Sequence, residues 1–412
     1  MNEQEGQTMK LGIYGGTFNP PHLGHLTSAR LALDALGLDA LQFVPAATPP
    51  HKALPAGSPA PEERLAMVEL AADGLLMPKR VGVSDMEFTR PGKSYTADTL
   101  EQLHAQYPGA ELWLLMGTDM FLTLQYWREP EVITRLAGVC TFARTQSDSG
   151  EALSIQAEYL QKTFGARTCV LQLPQIVDVS STQLRELLAK GEGQQYLPPA
   201  VYGYIIRRGL YGVHWDLKHL PDRELRACSY SMIRAKRIAH VQGTEQEAER
   251  LAIRWGADPV KARRAGILHD CTKYLSLEEQ LALCDQYGIE LDELERIAVK
   301  LLHSKTGAAI ARDVFGVDDD IFWAIFWHTT GKADMKLLEK ILYIADYMEP
   351  TRDFPGVERL RERAYRDRDA ALLLGFEMSV QEMADRGLQV HHNTLEARDF
   401  LRAQGVRLPE ER

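Results

Sequence analysis

The stretch Leu-Gly-Ile-Tyr-Gly-Gly-Thr-Phe-Asn-Pro-Pro-His-Leu-Gly-His, residues 11–25, decides the fold of the first half of the chain. Its first four residues form an apolar run typical of a buried strand, and a helical pattern of apolar residues follows over 26–36. Gly15 and Gly16 lack Cβ atoms, so the turn between strand and helix lets backbone N–H groups approach a phosphate chain. This order predicts the first unit of a parallel α/β sheet with a phosphate site at its turn.

Two histidines stand at the predicted start of the helix that follows the glycines. His22 and His25 are three residues apart, so both side chains can lie on one face of that helix. Two imidazoles beside a phosphate cradle could stabilise the charge that develops when a phosphoryl group is attacked. The stretch has neither the G-x-G-x-x-G pattern of dinucleotide-binding folds nor the G-K-[ST] pattern of a Walker loop. A tight turn with two polar helix-start histidines is the simpler alternative, but the complete string favours the catalytic interpretation.

Six apolar, β-rich runs alternate with helical patterns over the first half. They lie at residues 10–14, 40–45, 80–83, 111–116, 138–142 and 168–173. This alternation predicts a doubly wound parallel sheet of the Rossmann type, in which ligands bind at the carboxyl ends of the strands. Gly15, Gly117 and Arg144 each follow such a run, so we expect them to converge on one crevice.

Other loop residues are candidates for ligand contacts. Lys52 follows a pair of prolines and could reach a triphosphate as a point charge, and Arg64, near the start of the next helix, is a weaker candidate. Asp119 follows the fourth run, where a carboxylate suits ribose hydroxyls, and Trp127 could stack on a pyridine ring. A solvated lysine and a core tryptophan are the simpler alternatives for Lys52 and Trp127.

Two further segments read as helix starts that could bind anions. Ser180–Arg185 places hydroxyl groups, backbone N–H groups and an arginine on one first turn, which suits an anion. Ser94–Thr99 also opens a helix, with Ser94 or Thr96 as the cap. An ordinary Ser or Thr cap is the alternative in both segments, and for Ser180–Arg185 the residues alone do not decide between the two.

The string G-G-T-F-N-P-P-H-x-G-H resembles the nicotinate mononucleotide adenylyltransferase branch of the H-x-G-H nucleotidyltransferase superfamily. The segments S-Y-T-x-D-T and S-[ST]-x-x-[IL]-R also match, and the resemblance covers residues 9–210. It implies transfer of AMP from Mg²⁺-ATP to nicotinate mononucleotide, giving deamido-NAD and pyrophosphate without a covalent intermediate.

The resemblance also implies a role for each matching residue. Those implied to bind ATP are Gly15, Gly16, Thr17, Phe18, His22, His25, Gly117, Asp119, Ser181, Thr182 and Arg185. Those implied to bind the mononucleotide are Asn19, Lys52, Tyr95, Thr96, Trp127 and Arg144. Those implied to be catalytic are His22, His25, Lys52 and Arg185. Thr96 and nearby backbone N–H groups would meet the nicotinate carboxylate.

After a predicted linker over 211–221, the strand pattern stops, and helical patterns over 222–404 predict an all-α domain. Four histidines and two aspartates lie on or beside apolar helical faces. They are His240, His269, Asp270, His303, His328 and Asp346. So many buried polar groups are hard to satisfy without a cation, and imidazole with carboxylate but no thiolate suits iron, manganese or a similar divalent metal better than structural zinc.

These residues could hold two metal ions. Asp270 could bridge both ions, with His240, His269 and Asp346 on one of them. The second ion would be held by His303 and His328. Two ions could activate water and stabilise a phosphate under attack, while Lys273, one helical turn away, contacts a substrate phosphate. His391 and His392 are interpreted as surface or substrate-lining residues, not metal ligands.

The His269-Asp270 pair, with H-T-T-G at 328–331 and A-D-Y-M-E-P at 345–350, resembles the HD phosphohydrolase superfamily. Together these segments resemble a bacterial HD family often encoded beside, or fused to, the adenylyltransferase. That family includes symmetrical diadenosine tetraphosphate hydrolases with a two-iron centre, which implies hydrolysis of that compound to two ADP. Cys271-Thr272 departs from the family pattern without touching the ligands. A different nucleotide phosphatase and a nucleotide-sensing regulatory module are the alternatives.

Composition excludes several classes. The length of 412 residues suggests two or three domains, and a net charge of −10 argues against broad nucleic-acid binding. Five cysteines without a C-x-x-C pair argue against a disulfide framework or a zinc ribbon. No apolar run could cross a bilayer, and the first eight residues do not resemble a signal peptide. We therefore expect a cytoplasmic enzyme with small-molecule substrates and neither membrane nor nucleic acid as partner; a homodimer is left open.

Overall fold

The computed structural model describes residues 8–50, 54–143, 150–173 and 179–408. The chain forms two compact units, residues 1–214 and 215–412, which are described separately below. The division falls inside the segment 211–221 that was predicted to be a linker, whose bounds stay a prediction. The predicted ligand residues Lys52 and Arg144 lie outside the described residues.

Six parallel strands form the sheet of the first unit. They are β1 Lys10–Gly16, β2 Ala40–Pro45, β3 Val81–Val83, β4 Glu111–Met116, β5 Ala137–Ala143 and β6 Thr168–Gln172. The spatial order is β3-β2-β1-β4-β5-β6, so the direction of winding reverses between β1 and β4. This confirms the predicted doubly wound sheet, and it puts a crevice beyond the carboxyl ends of β1 and β4.

The end of β1 differs from the prediction. Gly15 and Gly16 are paired with Val44 and Pro45 of β2, so they complete the strand, and the β1–α1 loop runs from Thr17 to His22. A Cβ at Gly15 would project into open space, whereas one at Gly16 would lie 3.1 Å from the Phe18 ring. Glycine at 16 therefore leaves room for the turn that follows, and glycine at 15 keeps the crevice open.

Helices cover both faces of the sheet. They are α1 Leu23–Ala35, α2 Pro61–Asp73, α3 Thr96–Gln106, α4 Thr118–Phe121, α5 Pro130–Leu136, α6 Gly150–Phe164, α7 Ser181–Leu188 and α8 Pro199–Arg208. Alternate residues of β1 enter two different apolar clusters: Leu11 and Ile13 join one, and Tyr14 joins the other. Burial on both faces explains why strands such as β5 are almost wholly apolar, since each buried large side chain stabilises the fold by roughly 1.5–3 kcal/mol.

The second unit is helical, and its described residues contain no strand. Its helices are α9 Asp222–Tyr230, α10 Ile238–Trp255, α11 Pro259–Leu268, α12 Leu277–Tyr287, α13 Val299–Asp313, α14 Asp319–Trp327, α15 Leu337–Met348, α16 Val357–Arg366, α17 Arg368–Asp385 and α18 His392–Ala403. Helix α10 packs against α11 and α15, and α13 packs against α14. A Cβ at Gly266 would lie 2.6 Å from the Cα of Glu245, so glycine there permits the close crossing of α10 and α11. These observations confirm an all-α second domain.

Among the described helices, none combines the length and the apolar character needed to span a bilayer.

Candidate functional site

A cavity of about 420 Å³ opens at the carboxyl ends of the central strands of the first unit. Most of the described candidates from the sequence line it. They are Gly15, Gly16, Thr17, Phe18, His22, His25, Thr96, Gly117, Asp119, Trp127 and Ser181. The described candidates outside its lining are Asn19, Arg64, Tyr95, Thr182 and Arg185. The expected convergence of Gly15 and Gly117 on one crevice is therefore seen, and Arg144 stays a prediction.

The two histidines of the β1–α1 loop face each other at the start of α1. Their ring centroids are 3.9 Å apart, and the His22 backbone N–H donates to His25 Nδ1 at 3.1 Å. Because Nδ1 of His25 accepts this bond, the proton of the neutral ring lies on Nε2. Phe18 packs its edge against the His25 ring, with the ring centroids 5.1 Å apart. The ring is thus held in place with its proton on Nε2.

The opposite end of the cavity is built from the starts of α3 and α4. Thr96 is the first residue of α3, and Trp127 has one part packed on the apolar core while another part lines the cavity. Glu87 also lines this end and was missed by the sequence reasoning. It is buried and accepts a hydrogen bond of 2.7 Å from the Thr99 hydroxyl, and burial raises the pKa of its carboxyl. No local motif marks Glu87, because its place depends on a loop between distant elements.

Helix α7 supplies the third wall. The Ser180 hydroxyl caps the helix by accepting from the backbone N–H of Gln183 at 3.2 Å, and Ser181 lines the cavity. The Arg185 guanidinium donates to the carbonyl of Asn19 at 2.8 Å and to the Thr182 hydroxyl at 3.0 Å. Arg185 therefore ties α7 to the β1–α1 loop, and capping and ligand binding are compatible at this helix start.

Asn19, predicted to bind substrate, is 1% exposed. Its side-chain amide donates to the Ser58 hydroxyl at 2.9 Å, and its side-chain oxygen accepts from the Tyr211 hydroxyl at 2.8 Å. Protein groups thus engage both polar atoms of the side chain. In this structure Asn19 shapes the loop from behind, so its contact with substrate stays a prediction.

In the second unit, one carboxylate stands between two groups of histidines. Oδ2 of Asp270 lies 3.7 Å from Nε2 of His240 and 3.4 Å from Nε2 of His269. Those two nitrogens are 3.1 Å apart. Oδ1 of Asp346 lies 3.0 Å from the nitrogen of His240 and 3.8 Å from that of His269. These donor atoms converge on a volume of the size that one metal ion requires.

The other oxygen of Asp270 faces the second group. Its Oδ1 lies 3.2 Å from Nε2 of His303 and 3.9 Å from Nε2 of His328. These two nitrogens are 3.2 Å apart. Asp270 is 1% exposed, so its two oxygens point at two different donor sets inside the protein. This is the placement expected of a bridging carboxylate.

The outer ring nitrogen of each of these histidines faces an acceptor. Nδ1 of His269, His303 and His328 each lies 2.7 Å from a backbone carbonyl oxygen, and Nδ1 of His240 lies 2.9 Å from a Glu349 carboxylate oxygen. Each Nδ1 therefore carries a proton, and the inner Nε2 of the neutral ring presents a lone pair. Lone pairs about 3 Å apart repel one another unless a cation lies between them.

Electrostatics at the centre favour a cation. Burial alone would raise the pKa of Asp270, but its interactions with His269 and Lys273 outweigh burial and hold the pKa well below its usual range. Burial lowers the pKa of His328 well below its usual range, so that ring is neutral. For His240, Asp346 and Glu349 outweigh burial and raise its pKa, because two carboxylates there attract positive charge. The residues present thus fit one or two divalent metal ions.

Comparison with known proteins finds a family match in each unit. The family model described as cytidylyltransferase-like matches residues 13–187, and the HD domain model matches residues 237–351. A protein of Trichlorobacter lovleyi called "Probable nicotinate-nucleotide adenylyltransferase" is 39% identical over 215 residues, covering 49% of this chain and 99% of the relative. A protein of Shouchella clausii with the same name is 40% identical over 204 residues, covering 49% of this chain and 97% of the relative.

The chain belongs to the nicotinate-nucleotide adenylyltransferase family. These relatives match about half of the chain, and the HD domain model accounts for most of the metal centre. A solved structure from Clostridium acetobutylicum, titled as a predicted HD superfamily hydrolase involved in NAD metabolism, has 40% identity to this chain. It covers 45% of this chain and 98% of its own, with a TM-score of 0.44.

Three cations surround the metal centre of the HD domain. Arg237 Nε lies 2.6 Å from Asp270 Oδ2, and Lys273 Nζ lies 3.3 Å from Asp270 Oδ1. Arg352 donates to the backbone oxygen of Asp346 at 2.9 Å and to its carboxylate at 2.7 Å. Lys273 was predicted, whereas both arginines were missed. Arg237 stands three residues before His240, a spacing that could have revealed it.

The prediction that His391 and His392 are surface residues holds for only one of them. His392 is exposed, as expected, but His391 is buried, so the surface interpretation is wrong for it. Its Nε2 lies 3.0 Å from Asp292 and 3.3 Å from Glu295. Its Nδ1 accepts from the backbone N–H of Asn393 at 3.2 Å, so the proton lies on Nε2. A protonated Nε2 cannot bind a metal, which supports the prediction that His391 is not a ligand.

Arg64 of the adenylyltransferase half also differs from the prediction. Its side chain is fully buried and does not line the cavity. It therefore does not contact a phosphate there, contrary to the weaker candidacy that its position suggested.

Proposed function

We propose that the first half of the chain transfers AMP from ATP to nicotinate mononucleotide, giving deamido-NAD and pyrophosphate. The observation that carries this proposal is that one cavity is lined by the paired histidines, the start of α7, Thr96 and Trp127. One cavity that holds both substrates converts a bimolecular reaction into a reaction of oriented partners.

The chemistry needs little beyond position and charge. The mononucleotide phosphate attacks the α-phosphorus of ATP, a bond forms between that oxygen and phosphorus, and pyrophosphate leaves with Mg²⁺ neutralising part of its charge. His25 donates from Nε2 to a phosphate oxygen whose charge grows during transfer. His22 adds a second imidazole at the same place, and Arg185 and Lys52 are assigned to the leaving phosphates.

The mononucleotide end of the cavity suits an anion and an aromatic ring. Backbone N–H groups at the start of α3 carry the positive end of the helix dipole, beside the Thr96 hydroxyl. Trp127 offers a ring face for the pyridine, and Asp119 offers a carboxylate for ribose hydroxyls. A site built for a carboxylate loses interactions when it is offered an amide.

Turnover of the full chain with Mg²⁺-ATP and either nicotinate mononucleotide or its amide tests this proposal. We expect deamido-NAD and pyrophosphate in equal amounts, and kcat/KM at least about tenfold higher for the acid. The Thr96→Val variant should reduce that ratio, whereas exposed His104→Ala in the same helix should leave it unchanged. Equal kcat/KM for both mononucleotides in the unchanged chain would exclude the proposed substrate preference.

We propose that the HD domain hydrolyses a phosphoanhydride, with diadenosine tetraphosphate as substrate and two ADP as products. His240, His269 and Asp346 would hold one divalent ion, His303 and His328 a second, and Asp270 both, with iron the metal we expect. Such ions supply a Lewis acid for phosphate oxygens and lower the pKa of water. All five cysteines are free thiols, which fits a reducing cytoplasm as the place of both activities.

The side chains of this domain define what the substrate must offer. Arg237, Lys273 and Arg352 are each partly exposed and place three positive charges around the centre. A chain of four phosphates offers more anionic oxygens to these three cations than a monophosphate does. One water adds across the central P–O–P bond, one ADP receives the hydroxyl oxygen, and the other leaves with the bridging oxygen.

Product analysis on the iron-loaded full chain tests this second proposal. We expect ADP as the sole nucleotide product from diadenosine tetraphosphate, and little turnover of nucleoside monophosphates. Release of ATP with AMP would identify asymmetric hydrolysis and contradict the proposed substrate position. If no nucleotide is hydrolysed, while nucleotide binding changes the rate of adenylyl transfer, the domain is a regulatory sensor.

A further inference from the structure

Arg64 braces the two backbone segments that form one wall of the adenylyltransferase cavity. Its Nη1 donates to the carbonyl oxygens of Thr17 at 3.0 Å and Ala46 at 2.6 Å, and its Nη2 donates to that of Ala47 at 2.8 Å. Thr17 begins the β1–α1 loop, and Ala46 follows β2. Both residues line the cavity, whereas the guanidinium lies behind them.

The charge of Arg64 is unmatched within the described part of the chain. Its side chain is 0% exposed, and no described carboxylate lies within 4.0 Å of it. Its Nε has no hydrogen-bond partner among the described atoms. Arg226 and Arg237, which are less deeply buried, are paired with Glu245 and Asp270, so Arg64 is an exception to both of them. A buried ion without a partner is costly, so this exception calls for a counter-charge from elsewhere.

We infer, on the basis of the proposed adenylyl transfer, that Arg64 is a positioning residue for the triphosphate of ATP. Its planar fork fixes the spacing between the β1–α1 loop and the segment after β2, and its charge faces the polyphosphate through that single layer of backbone. The bound triphosphate then supplies the counter-charge that the protein lacks. Lysine would keep the charge but could not span three carbonyl oxygens from one ammonium group.

A structural brace alone predicts a different outcome. If Arg64 only stabilises the fold, its loss weakens the binding of every nucleotide to the same extent. If Arg64 acts on the triphosphate, its loss weakens ATP far more than AMP, because AMP carries a single phosphate. The ratio of the two dissociation constants therefore separates the two roles.

Titration calorimetry of the full chain with Mg²⁺-ATP and with AMP, in the absence of mononucleotide, measures that ratio. For Arg64→Gln we expect the Kd of ATP to rise about tenfold or more and the Kd of AMP to change less than about twofold, since loss of the charge and of the fork leaves carbonyl groups unpaired. Arg80→Gln is the matched control, because Arg80 also donates to a backbone carbonyl, that of Leu38 at 2.8 Å, but it lies just before the amino end of β3 and does not line the cavity. Its ratio should equal that of the unchanged chain.

Equal losses for ATP and AMP, or no loss for either, would overturn the inference. If Arg64→Gln does not fold, Arg64→Lys replaces it. For Arg64→Lys we expect the Kd of ATP, relative to that of AMP, to lie above the value of the wild-type protein but below the value at which both nucleotides bind equally. A wild-type ratio in a folded Arg64→Lys protein would also overturn the inference. Synthesis of deamido-NAD by the unchanged chain is assayed separately, so failure of the proposed function and failure of the role of Arg64 give different results.

Discussion

The histidines of the two units carry their protons on opposite ring nitrogens. In the adenylyltransferase half, Nδ1 of His25 accepts from a backbone N–H, so the proton lies on Nε2, the donor that we assign to a phosphate. In the HD domain, Nδ1 of His269 donates to a backbone carbonyl, so Nε2 is left to bind a cation. The group behind the ring, not the residue type, decides whether a histidine serves phosphate or metal. His391, with an N–H behind its ring, belongs to the first kind although it lies in the second unit.

The largest effect that this comparison predicts is the loss of bound metal and of hydrolysis when Asp270 is replaced. Asp270→Ala should remove bound metal and abolish hydrolysis, because each of its oxygens faces a different pair of histidines. Adenylyl transfer should be unchanged. Elemental analysis gives the metal content per chain, and circular dichroism reports whether the helical domain is folded.

Two further variants sharpen the Asp270 experiment. His328→Ala should leave part of the metal bound, since the donor set around His240 stays intact. His391→Gln should leave all of it bound, because His391 presents a proton to its neighbours. A folded Asp270→Ala protein with undiminished metal would show that Asp270 is not a bridging ligand.

The next largest effect is expected at His25. His25→Ala should lower kcat for adenylyl transfer by about 10²–10³-fold, the usual loss when one donor to a developing charge is removed. His25→Asn should recover part of this loss, because an amide N–H can replace the donor. The exposed His104→Ala is the control. Rates are measured by pyrophosphate release, and near-normal release by the His25→Ala protein would mean that His25 is not the donor.

A smaller effect, on metal affinity, is expected at Glu349, which contacts the metal ligand His240. Glu349→Ala should weaken metal binding about 10–100-fold, because the carboxylate holds the Nδ1 proton of His240 at 2.9 Å. Glu349→Gln keeps an acceptor and should lose less. Glu339→Gln is the matched control, since this buried glutamate of α15 accepts instead from the backbone N–H of Lys336 at 2.7 Å. Competition with a chelator measures the affinity, and equal affinity in the Glu349→Ala protein would contradict the role assigned.

The smallest effect concerns stability near His391. Burial alone would raise the pKa of Glu295, but hydrogen bonds from His391 and Lys305 outweigh it and lower the pKa to about 2, from an ordinary value of 4.5. A lowered pKa stabilises the folded state above pH 4.5, and this contribution is lost as the pH falls from 4.5 to about 2. At neutral pH it amounts to roughly 3 kcal/mol, since each pKa unit corresponds to about 1.4 kcal/mol.

Urea unfolding of the full chain at pH 6 and pH 3 checks the Glu295 prediction. The difference in free energy of unfolding between the unchanged chain and Glu295→Gln should shrink at the lower pH. The exposed neighbour Glu293→Gln should show no such change. A difference that does not vary with pH would refute the proposed ion pair.

The strands of the sheet and the candidate metal ligands could be predicted from residue type and from the pattern of apolar residues. The apolar runs identified β1 and its neighbours because parallel strands are buried on both faces, and the metal-centre candidates were identified because histidine and aspartate are rare on apolar helical faces. Arg64 could not be understood from the sequence, because its partners are three backbone carbonyls in two other segments. The burial of His391 could not be predicted from the sequence either, because it depends on how the start of α18 packs on the segment around Asp292 and Glu295.

The close crossing of α10 and α11 at Gly266 means that the width of the metal centre depends on a residue that is not a ligand. Helix α10 carries His240, and α11 ends beside His269, so the gap between these two ring nitrogens follows the distance between the helices. One methyl group at 266 would force the two helices apart and widen the gap between these ring nitrogens, although no ligand residue is replaced. Ion size can therefore be tuned in this domain through a residue that never touches the ion.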